Sequence, residues 1–554
     1  MIFFKRIPKT PEEKSQLWKD RKLLMLSGIL LAAGFSPVPL PLTLFIALIP
    51  FLKVLENRKT LAELNRASFV MSFTASLLAL YWVGGYTEGK DPFLMIGGFL
   101  LFFINPIAFL IPTSLYYIVR KHLSHNKAIL LFPFFWVFYE YLYTLTDWSF
   151  PWLNIGNGMS NFTAFIQLAD KVGSYGISLI VVFVNVLIYL AIKEYQGKKK
   201  NATVYSLIAV LLIAVPLVYG IVKLSTSADT AKQITIGVVQ PNLDPYDKWA
   251  GESVDQIMKL YADGSQKLYA DKIDLLIWPE TALPVYLLEP GNAAYYNTIT
   301  RMIDSSGVPL LTGMPDIRIY GANDKKPHDV KQSRISKVYY ATYNAIYMMN
   351  PHSSNIQRYG KIKLVPFGER VPFVDQIPML GDLMRWGVGL SGWNVGEDMT
   401  VFKARVPSLK DSVCIGGAIC YESIYPNQVT QLASRGAQLL VVVTNDSWYG
   451  NTSGPYQHRD YAKMRAVENR RSVVRAANGG ISCVIDSYGR IQSQTKMYEK
   501  TTYTKKVSLS SESTFYMEHP HMITTPCIII GLMVLVWGLY KKIMGMINKK
   551  SKSA

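Results

Sequence analysis

Eight long apolar runs limit what this chain of 554 residues can fold into more than any other feature. A stretch of about 20 apolar residues is long enough to cross the hydrocarbon of a bilayer as a helix. Most of the runs reach that length or come close to it, and short polar loops separate many of them. The runs cover residues 23–35, 40–55, 67–86, 93–119, 128–143, 177–192, 204–222 and 523–540.

These runs divide the chain into three parts. Residues 1–228 are predicted to form an α-helical transmembrane domain with seven spans, and residues 519–554 a C-terminal transmembrane helix with a basic tail. Residues 229–518 between them form a polar domain. The first run is short and three prolines follow it, so a re-entrant hairpin through Leu55 is an alternative for the first two runs.

The distribution of positive charge predicts the orientation of the spans. Lys and Arg are retained on the cytoplasmic side of a membrane when they lie in short loops. With eight spans, the loops on one face contain two basic residues, Lys90 and Lys171, whereas both tails and the remaining loops are rich in them. Both termini are therefore predicted to be cytoplasmic, and the polar domain is predicted to be exported.

The same tails and loops account for most of the net charge of +19. Such a charge would otherwise suggest nucleic-acid binding, which needs a basic patch or stripe on one domain. Because the basic residues are scattered over membrane-flanking loops, the sequence argues against nucleic acid as a partner. The lipid bilayer is the partner that this charge pattern predicts.

Four cysteines are present, and they are too few and too widely spaced for a disulfide framework or a metal site. Cys414, Cys483 and Cys527 lie within apolar runs, where a small buried thiol is the usual role. Cys420 differs because it ends its run. The sequence predicts no metal and no other cofactor.

Residues 229–518 alternate short β-branched runs with segments of helical periodicity, which is typical of a layered α/β domain. The fold class is therefore a transmembrane helical bundle of about eight spans with an exported α/β domain. The predicted helices are 253–269, 293–303, 426–434 and 455–476. The predicted strands lie within 233–240, 274–280, 308–314, 339–349, 413–420, 438–446 and 479–486.

Three reactive side chains lie at the ends or edges of strand-like runs in this domain: Glu280, Lys361 and Cys420. The rim formed by strand ends is where open α/β sheets build their sites. Each motif alone is weak, because carboxylates in turns, lysines on strand edges and cysteines in cores are all common. Together they supply a base, a cation and a nucleophile, as acyl transfer through a covalent thioester requires.

Four motifs occur in one order: WPET at 278–281, KIKLVPFGERVPF at 361–373, GGAICYE at 416–422 and TNDSWYG at 444–450. This set resembles the nitrilase superfamily, which implies an αββα sandwich with a triad of Glu280, Lys361 and Cys420. The surrounding spans make the chain similar to the apolipoprotein N-acyltransferase family. That resemblance implies a multi-pass enzyme of the bacterial inner membrane with its catalytic domain on the periplasmic side.

The resemblance also implies the reaction and its partners. The Cys420 thiolate takes a fatty acyl group from a membrane phospholipid as a thioester. It then passes the group to the α-amino group of the N-terminal diacylglyceryl-cysteine of an apolipoprotein. Glu280 is the expected base, and Lys361 with backbone N–H groups after Cys420 the expected oxyanion donors.

Further supporting roles are expected for Glu369, Tyr421 and Glu422, with Glu369 orienting the lysine. Lys361 keeps the spacing of the family to LVPFGE, whereas Lys363 stands where the family often has histidine.

Five residues are candidates for substrate binding: Trp152, Trp249, Trp393, Asn445 and Trp448. Core packing or an interfacial aromatic belt is the alternative for each tryptophan. Trp249 and Trp448 are better candidates because they lie beside the motifs. The glycine-rich stretch 381–396, which includes Trp386, is predicted to be a mobile lid or a membrane-dipping arm.

Two other functions remain as alternatives. In the first, a membrane-anchored carbon–nitrogen amidase or nitrilase uses the same thioester, and water resolves it. In the second, the chain is a transporter or scaffold with a degenerate exported domain. Against the second, the spans contain almost no ionisable residues apart from Glu140, whereas transport paths usually need several.

Overall fold

The computed structural model describes residues 10–553 apart from 88, 90, 227–231, 334, 335, 378 and 380–391. The chain forms two compact units. The first contains residues up to 81, 98–225 and 519 onward, and the second contains 82–97 and 226–518. Most of the predicted lid, including Trp386, lies outside the described residues.

The first unit is helical. Thr10 and Thr60 begin its first and third helices with capping boxes, in which Glu13 and Glu63 accept a hydrogen bond from the backbone N–H of the capping residue. The helices are α1 Pro11–Ala32, α2 Ile49–Glu56, α3 Leu61–Ala79, α4 Pro92–Ala108, α5 Leu110–Arg120, α6 His125–Ile129, α7 Phe132–Tyr143, α8 Ile155–Gly158, α9 Thr163–Ile166, α10 Ala169–Glu194 and α11 Lys199–Ser225.

Among the described residues, four helices are long and apolar enough to cross a membrane. They correspond to four of the eight apolar runs, so the prediction of a multi-pass membrane protein is confirmed and the count of eight spans is not. The four candidates are Leu94–Arg120, which joins most of α4 to α5, Ala169–Glu194, Lys199–Ser225 and Thr524–Asn548, which is part of the last helix of the chain.

The second apolar run, residues 40–55, shows why the count differs. It forms a 3-10 helix, Pro41–Phe45, and the eight-residue helix α2, which is only about 12 Å long. Asn185 of α10 forms hydrogen bonds with backbone groups where the two helices are interrupted. Its Oδ1 accepts from Leu48 N at 2.8 Å, and its Nδ2 donates to Leu44 O at 2.7 Å. A buried side chain thus stabilises a break that hydropathy alone does not predict.

The second unit is an α/β domain whose described strands form two sheets. The strands are β1 Gln233–Gln240, β2 Leu275–Trp278, β3 Leu310–Tyr320, β4 Lys331–Gln332, β5 Tyr339–Met349, β6 Gln357–Gly360, β7 Val401–Ala404, β8 Val413–Ile419, β9 Leu439–Thr444, β10 Val473–Ala477, β11 Cys483–Ile485, β12 Ile491–Gln494 and β13 Thr501–Ser508. The helices are α12 Pro245–Ala250, α13 Val254–Tyr269, α14 Ala293–Ser306, α15 Pro426–Ser434, α16 Gly454–Asn469 and α17 Phe515–Glu518. The last helix, α18 Thr524–Ser553, belongs to the first unit.

The two sheets have similar designs. The first has the order β13-β1-β2-β3-β5-β4, with β6 paired to β5, and β1, β2 and β3 are parallel. The second has the order β12-β11-β10-β9-β8-β7, with β8, β9 and β10 parallel. The carboxyl ends of the central parallel strands therefore form a rim on each sheet.

The sheets pack face to face through one apolar core. It joins side chains of the first sheet, such as Ile277 and Ile346, to side chains of the second, such as Ile415 and Val441. Separate clusters join α13 and α14 to the outer face of the first sheet, and α15 and α16 to the outer face of the second. The layers thus follow the order helix, sheet, sheet, helix, and the predicted α/β character of this domain is confirmed.

The predicted helix 455–476 is correct as far as Asn469 and wrong beyond it. Helix α16 ends at Asn469, because Arg470 adopts the left-handed conformation with φ of 46°. Residues after it form β10, parallel to β9. The β-branched pair Val473 and Val474 favours a strand, but the regular polar spacing of the preceding helix masked that signal.

Candidate active site

Cys420 lies where β8 ends and a 3-10 helix, Cys420–Ile424, begins. Its backbone adopts the left-handed conformation with φ of 49°, which costs free energy for a residue other than glycine. The side chain is half-buried. The sharp turn places the thiol at the carboxyl end of the strand, with the first N–H groups of a helical turn directly after it.

Glu280 lies in the turn after β2, and the residue that follows it, Thr281, has φ of 45°. The buried carboxylate accepts hydrogen bonds from Asn344 Nδ2 at 2.7 Å and from the backbone N of Asn445 at 2.8 Å. Gly313 packs so closely against the turn that a Cβ there would overlap its backbone. Backbone packing and two donors thus fix the position of the carboxylate.

Lys361 follows β6, and only 1% of it is exposed. Its Nζ donates to Glu369 Oε1 at 2.8 Å and lies 3.6 Å from Glu280 Oε1. Asn344 Nδ2 donates to Glu369 as well, at 3.0 Å, and Val365 N donates to the second oxygen at 2.8 Å. The ammonium is therefore held between two carboxylates that share one amide donor.

Burial and charge shift the pKa values of these groups in ways that suit proton transfer. Burial raises the pKa of Glu280, Glu369 raises it further, and Lys361 opposes the rise. Burial would lower the pKa of Lys361, but Glu369 and Glu280 outweigh it and raise that pKa. Burial and Glu280 raise the pKa of Cys420. The thiol is thus protonated at rest, and the Glu280 carboxylate is a stronger base than a solvated one.

Glu422 joins the turn of the nucleophile to the lysine loop. This fully buried carboxylate accepts from the backbone N of Ile419 at 2.9 Å, of Ile362 at 2.6 Å and of Lys363 at 3.1 Å. Two side chains donate to the same group, Tyr359 at 2.7 Å and Gln428 at 2.7 Å. Glu422 therefore fixes the distance between the turn of Cys420 and the loop of Lys361.

Tyr421 and Lys363 both contact Tyr425. The rings of Tyr421 and Tyr425 meet edge to face at 5.3 Å, and Tyr425 donates a hydrogen bond to the hydroxyl of Tyr421 at 2.9 Å. Lys363 Nζ lies 5.3 Å from the ring centroid of Tyr425. Lys361 is thus the lysine that pairs with the two carboxylates, while Lys363 pairs with an aromatic face.

The structure places the substrate-binding candidates in different settings. Trp249 is half-buried 5.7 Å from Lys248 Nζ, and half-buried Trp448 meets Tyr246 edge to face at 5.1 Å. Both tryptophans keep exposed surface that an apolar ligand could cover.

The other three candidates are buried. Trp393 accepts a hydrogen bond from Arg370 through its carbonyl, and Trp152, in the first unit, stacks on Phe150 at 5.2 Å. This packing matches the alternative interpretation of both tryptophans. Asn445 is fixed by its backbone bond to Glu280 and through its side chain to Asn478.

Three residues near the site were missed by sequence reasoning. Asn344, which bridges Glu280 and Glu369, was visible as one amide within the apolar run YYATYNAIYMM. Lys248 is buried and donates to Thr281 O at 2.7 Å, and burial lowers the pKa of Lys248 to about 8. The third is Tyr449, whose pKa is raised by burial and by the nearby Cys420 and Glu369.

Comparison with known proteins identifies the family of this chain. Residues 27–187 match the Apolipoprotein N-acyltransferase N-terminal domain, and residues 235–515 match the Carbon-nitrogen hydrolase family. The apolipoprotein N-acyltransferase of Chlorobaculum tepidum is 34% identical over 94% of this chain and 97% of that protein. The chain belongs to the apolipoprotein N-acyltransferase family. The relatives of the same name from Geobacter metallireducens and Rickettsia typhi are each 30% identical, over 95% and 92% of this chain and 96% and 94% of those proteins.

Membership of the apolipoprotein N-acyltransferase family confirms the resemblance that the four motifs indicated. The chain is an acyltransferase with a nitrilase-like domain, and neither the hydrolytic amidase nor the transporter is favoured.

Replacing Asn344 tests how the base is tuned. The amide hydrogen bond stabilises the ionised form of Glu280, so Asn344→Ala raises the pKa of that carboxyl. Because Glu280 is predicted to act as the ionised base, the reaction rate is expected to fall at a higher pH on acidification than in the unaltered protein. Acylation of Cys420 by p-nitrophenyl acetate, followed against pH, measures this. Asn355→Ala, at an exposed position, is the control, and an unmoved or lowered midpoint in Asn344→Ala contradicts the assignment.

Proposed function

We propose that this chain transfers a fatty acyl group from a membrane phospholipid to the α-amino group of the N-terminal diacylglyceryl-cysteine of an apolipoprotein. The observation that carries the proposal is the buried pairing of Lys361 with Glu280 and Glu369, on loops that Glu422 ties to the turn of Cys420. This cluster offers a base and a fixed cation beside a thiol, which thioester chemistry needs. The names of the relatives support the class of acceptor.

In the first half-reaction, Glu280 accepts the proton of the Cys420 thiol as the sulfur attacks the ester carbonyl of the phospholipid. A carbon–sulfur bond forms, and the carbonyl electrons move to oxygen. The ammonium of Lys361 and the N–H of Tyr421 stabilise this oxyanion. The tetrahedral intermediate collapses, the ester carbon–oxygen bond breaks, and the proton on Glu280 passes to the departing lysophospholipid. The thioester remains on Cys420.

In the second half-reaction, the free amine of the lipid-modified cysteine attacks the thioester carbon. Glu280 takes a proton from the amine as the carbon–nitrogen bond forms. The carbon–sulfur bond then breaks, and the thiolate recovers the proton. The products are an amide and the resting enzyme, so one acid–base group serves both steps.

The membrane has a physical role in this scheme because both substrates are lipids. Removing an acyl chain from a bilayer costs about 0.8 kcal/mol per CH₂ group. An enzyme anchored beside the membrane avoids full extraction of its donor. Half-exposed Trp249 and Trp448 are proposed to line the apolar entrance to the thiol, and Glu369 to orient Lys361.

The positive-inside pattern supports a finer proposal for topology. The chain crosses the bacterial inner membrane about eight times, both termini are cytoplasmic, and the catalytic domain faces the periplasm.

The covalent intermediate provides the first test. Incubation of the detergent-solubilised protein with phospholipid is expected to add one fatty acyl mass, which hydroxylamine removes. Cys420→Ser is expected to lose acyl transfer by at least about three orders of magnitude, because the thioester route is lost. Cys414→Ser, in the strand that leads to Cys420, is the matched control and retains the adduct. Transfer that persists in Cys420→Ser contradicts the proposal.

Labelling of engineered cysteines tests the topology. In a Cys420→Ser background, Lys325→Cys, on the exposed surface of the catalytic domain, is expected to react with a membrane-impermeant maleimide once the outer membrane is opened. Lys59→Cys, in a predicted cytoplasmic loop, is expected to react only after the inner membrane is disrupted. The reverse pattern contradicts an exported catalytic domain.

A further inference from the structure

A buried network that the mechanism above does not use lies directly behind Cys420. Its centre is His458 on α16, which is 3% exposed. Its Nδ1 lies 2.9 Å from Asp446 Oδ1, and its Nε2 lies 2.8 Å from Ser423 Oγ and 3.0 Å from the carbonyl oxygen of Cys420. In its doubly protonated form the imidazole donates from Nδ1 to Asp446 and from Nε2 to Ser423 and to the Cys420 carbonyl, and it thereby joins three elements at Cys420. Burial and Arg475 lower the pKa of His458, whereas Asp446 and the Cys420 carbonyl oppose that shift.

Asp446 holds this imidazole in place. Arg475 of β10, fully buried, donates to Asp446 Oδ2 at 3.0 Å, and Thr444 donates to Oδ1 at 3.0 Å. Burial opposes ionisation of Asp446, but Arg475, His458 and Thr444 together outweigh it and lower the pKa of the carboxyl. The side chain of Asp446 also packs against Gly480, where a Cβ would overlap it. Asp446, on the side of the imidazole away from Cys420, is thus held rigidly.

The same residues could be taken for a cation site, because Cys420 Sγ, a carboxylate oxygen of Asp446 and an imidazole nitrogen of His458 lie within 4.8 Å of one another. The guanidinium of Arg475 occupies the other side of the carboxylate, and both imidazole nitrogens contact protein groups. A fixed positive charge beside the ligands opposes a second cation. The arrangement is therefore a hydrogen-bond network behind the nucleophile.

The contact with the Cys420 carbonyl has a consequence for the reacting centre. Ser423 Oγ donates to this carbonyl oxygen at 2.8 Å, beside the imidazole. A peptide unit is planar, so the carbonyl of Cys420 and the N–H of Tyr421 are rigidly linked and point in opposite directions. When the carbonyl of Cys420 is held toward Ser423 and His458, the N–H of Tyr421 points away from them. The same contact stabilises the strained left-handed conformation of Cys420.

We propose that His458 is a positioning residue for acyl transfer, which acts with Ser423 through the carbonyl of Cys420 to aim the N–H of Tyr421 at the developing oxyanion. The proposal rests on the proposed function in one respect only, the assignment of Cys420 as the nucleophile. His458 itself does not touch the substrate. Its effect is specific to reactions that build negative charge on a carbonyl oxygen.

Two reactions of the same thiol separate this role from a merely structural one. Acylation by p-nitrophenyl acetate forms an oxyanion, whereas alkylation by iodoacetamide displaces iodide and forms none. Loss of one oxyanion donor lowers acyl transfer by roughly 100-fold to 1,000-fold. We expect His458→Asn, whose amide is too short to reach the carbonyl, to lower acylation at least about tenfold more than alkylation. His458→Gln, whose amide can reach it, is expected to restore the ratio to within about threefold of the unaltered protein.

Equal losses in both reactions, or no loss in either, overturn the proposal, as does failure of His458→Gln to restore the ratio. Ser423→Ala provides the second variant should His458→Asn fail to fold. Its acylation must also fall more than its alkylation, and an unchanged ratio overturns the proposal. The acyl donor in this assay, p-nitrophenyl acetate, is not a lipid. An enzyme that reacts with it but forms no adduct from phospholipid therefore contradicts the proposed function and leaves the role of His458 standing.

Discussion

The ion pairs of Lys361 are the interaction on which the rest of the site depends. A buried ammonium without a partner is costly, and here two carboxylates lie within 4 Å of it. The cluster carries one positive and two negative groups while the thiol is protonated. In the proposed mechanism, proton transfer from Cys420 to Glu280 neutralises one carboxylate as it creates a thiolate, so the total charge does not change. Lys361 therefore faces the same net negative charge before and during attack.

Keeping these charged groups at fixed distances requires loops that do not move relative to one another. Glu280 is held by the tight packing of Gly313 against its turn, and Glu422 ties the loop of Lys361 to the turn of Cys420. The network of His458, Asp446 and Arg475 supports the nucleophile from the second sheet. Groups that could move independently are thus fixed to neighbouring strand ends, which keeps reorganisation during the reaction small.

Much of the α/β domain could be predicted from the sequence because its buried strands are continuous β-branched runs. Gln233–Gln240 and Tyr339–Met349 match their predicted bounds. The edge strand Thr501–Ser508 was missed, since threonines and lysines on an exposed edge lack an apolar pattern. The triad motifs were visible because each ends or borders a run. Asn344 and His458 were not, because their roles depend on contacts between segments distant in sequence.

The number of spans in the membrane-embedded part stays a prediction for a related reason. Hydropathy reports that a run is apolar, but it does not report whether the helix is interrupted, as it is near Leu44 and Leu48, where Asn185 binds the backbone. It also does not report how long a helix the run forms, such as the twelve residues of Phe132–Tyr143. Length and composition therefore identify four candidate spans among the described residues.

The central claim is that the acyl group rests on the sulfur of Cys420 and leaves only to an amine. The most direct measurement isolates the acylated protein, free of phospholipid, and mixes it with a peptide bearing an N-terminal diacylglyceryl-cysteine. The account predicts that the amide appears at the rate at which the thioester disappears, with little free fatty acid. Loss of the adduct to free fatty acid, or peptide acylation while the adduct persists, would contradict it.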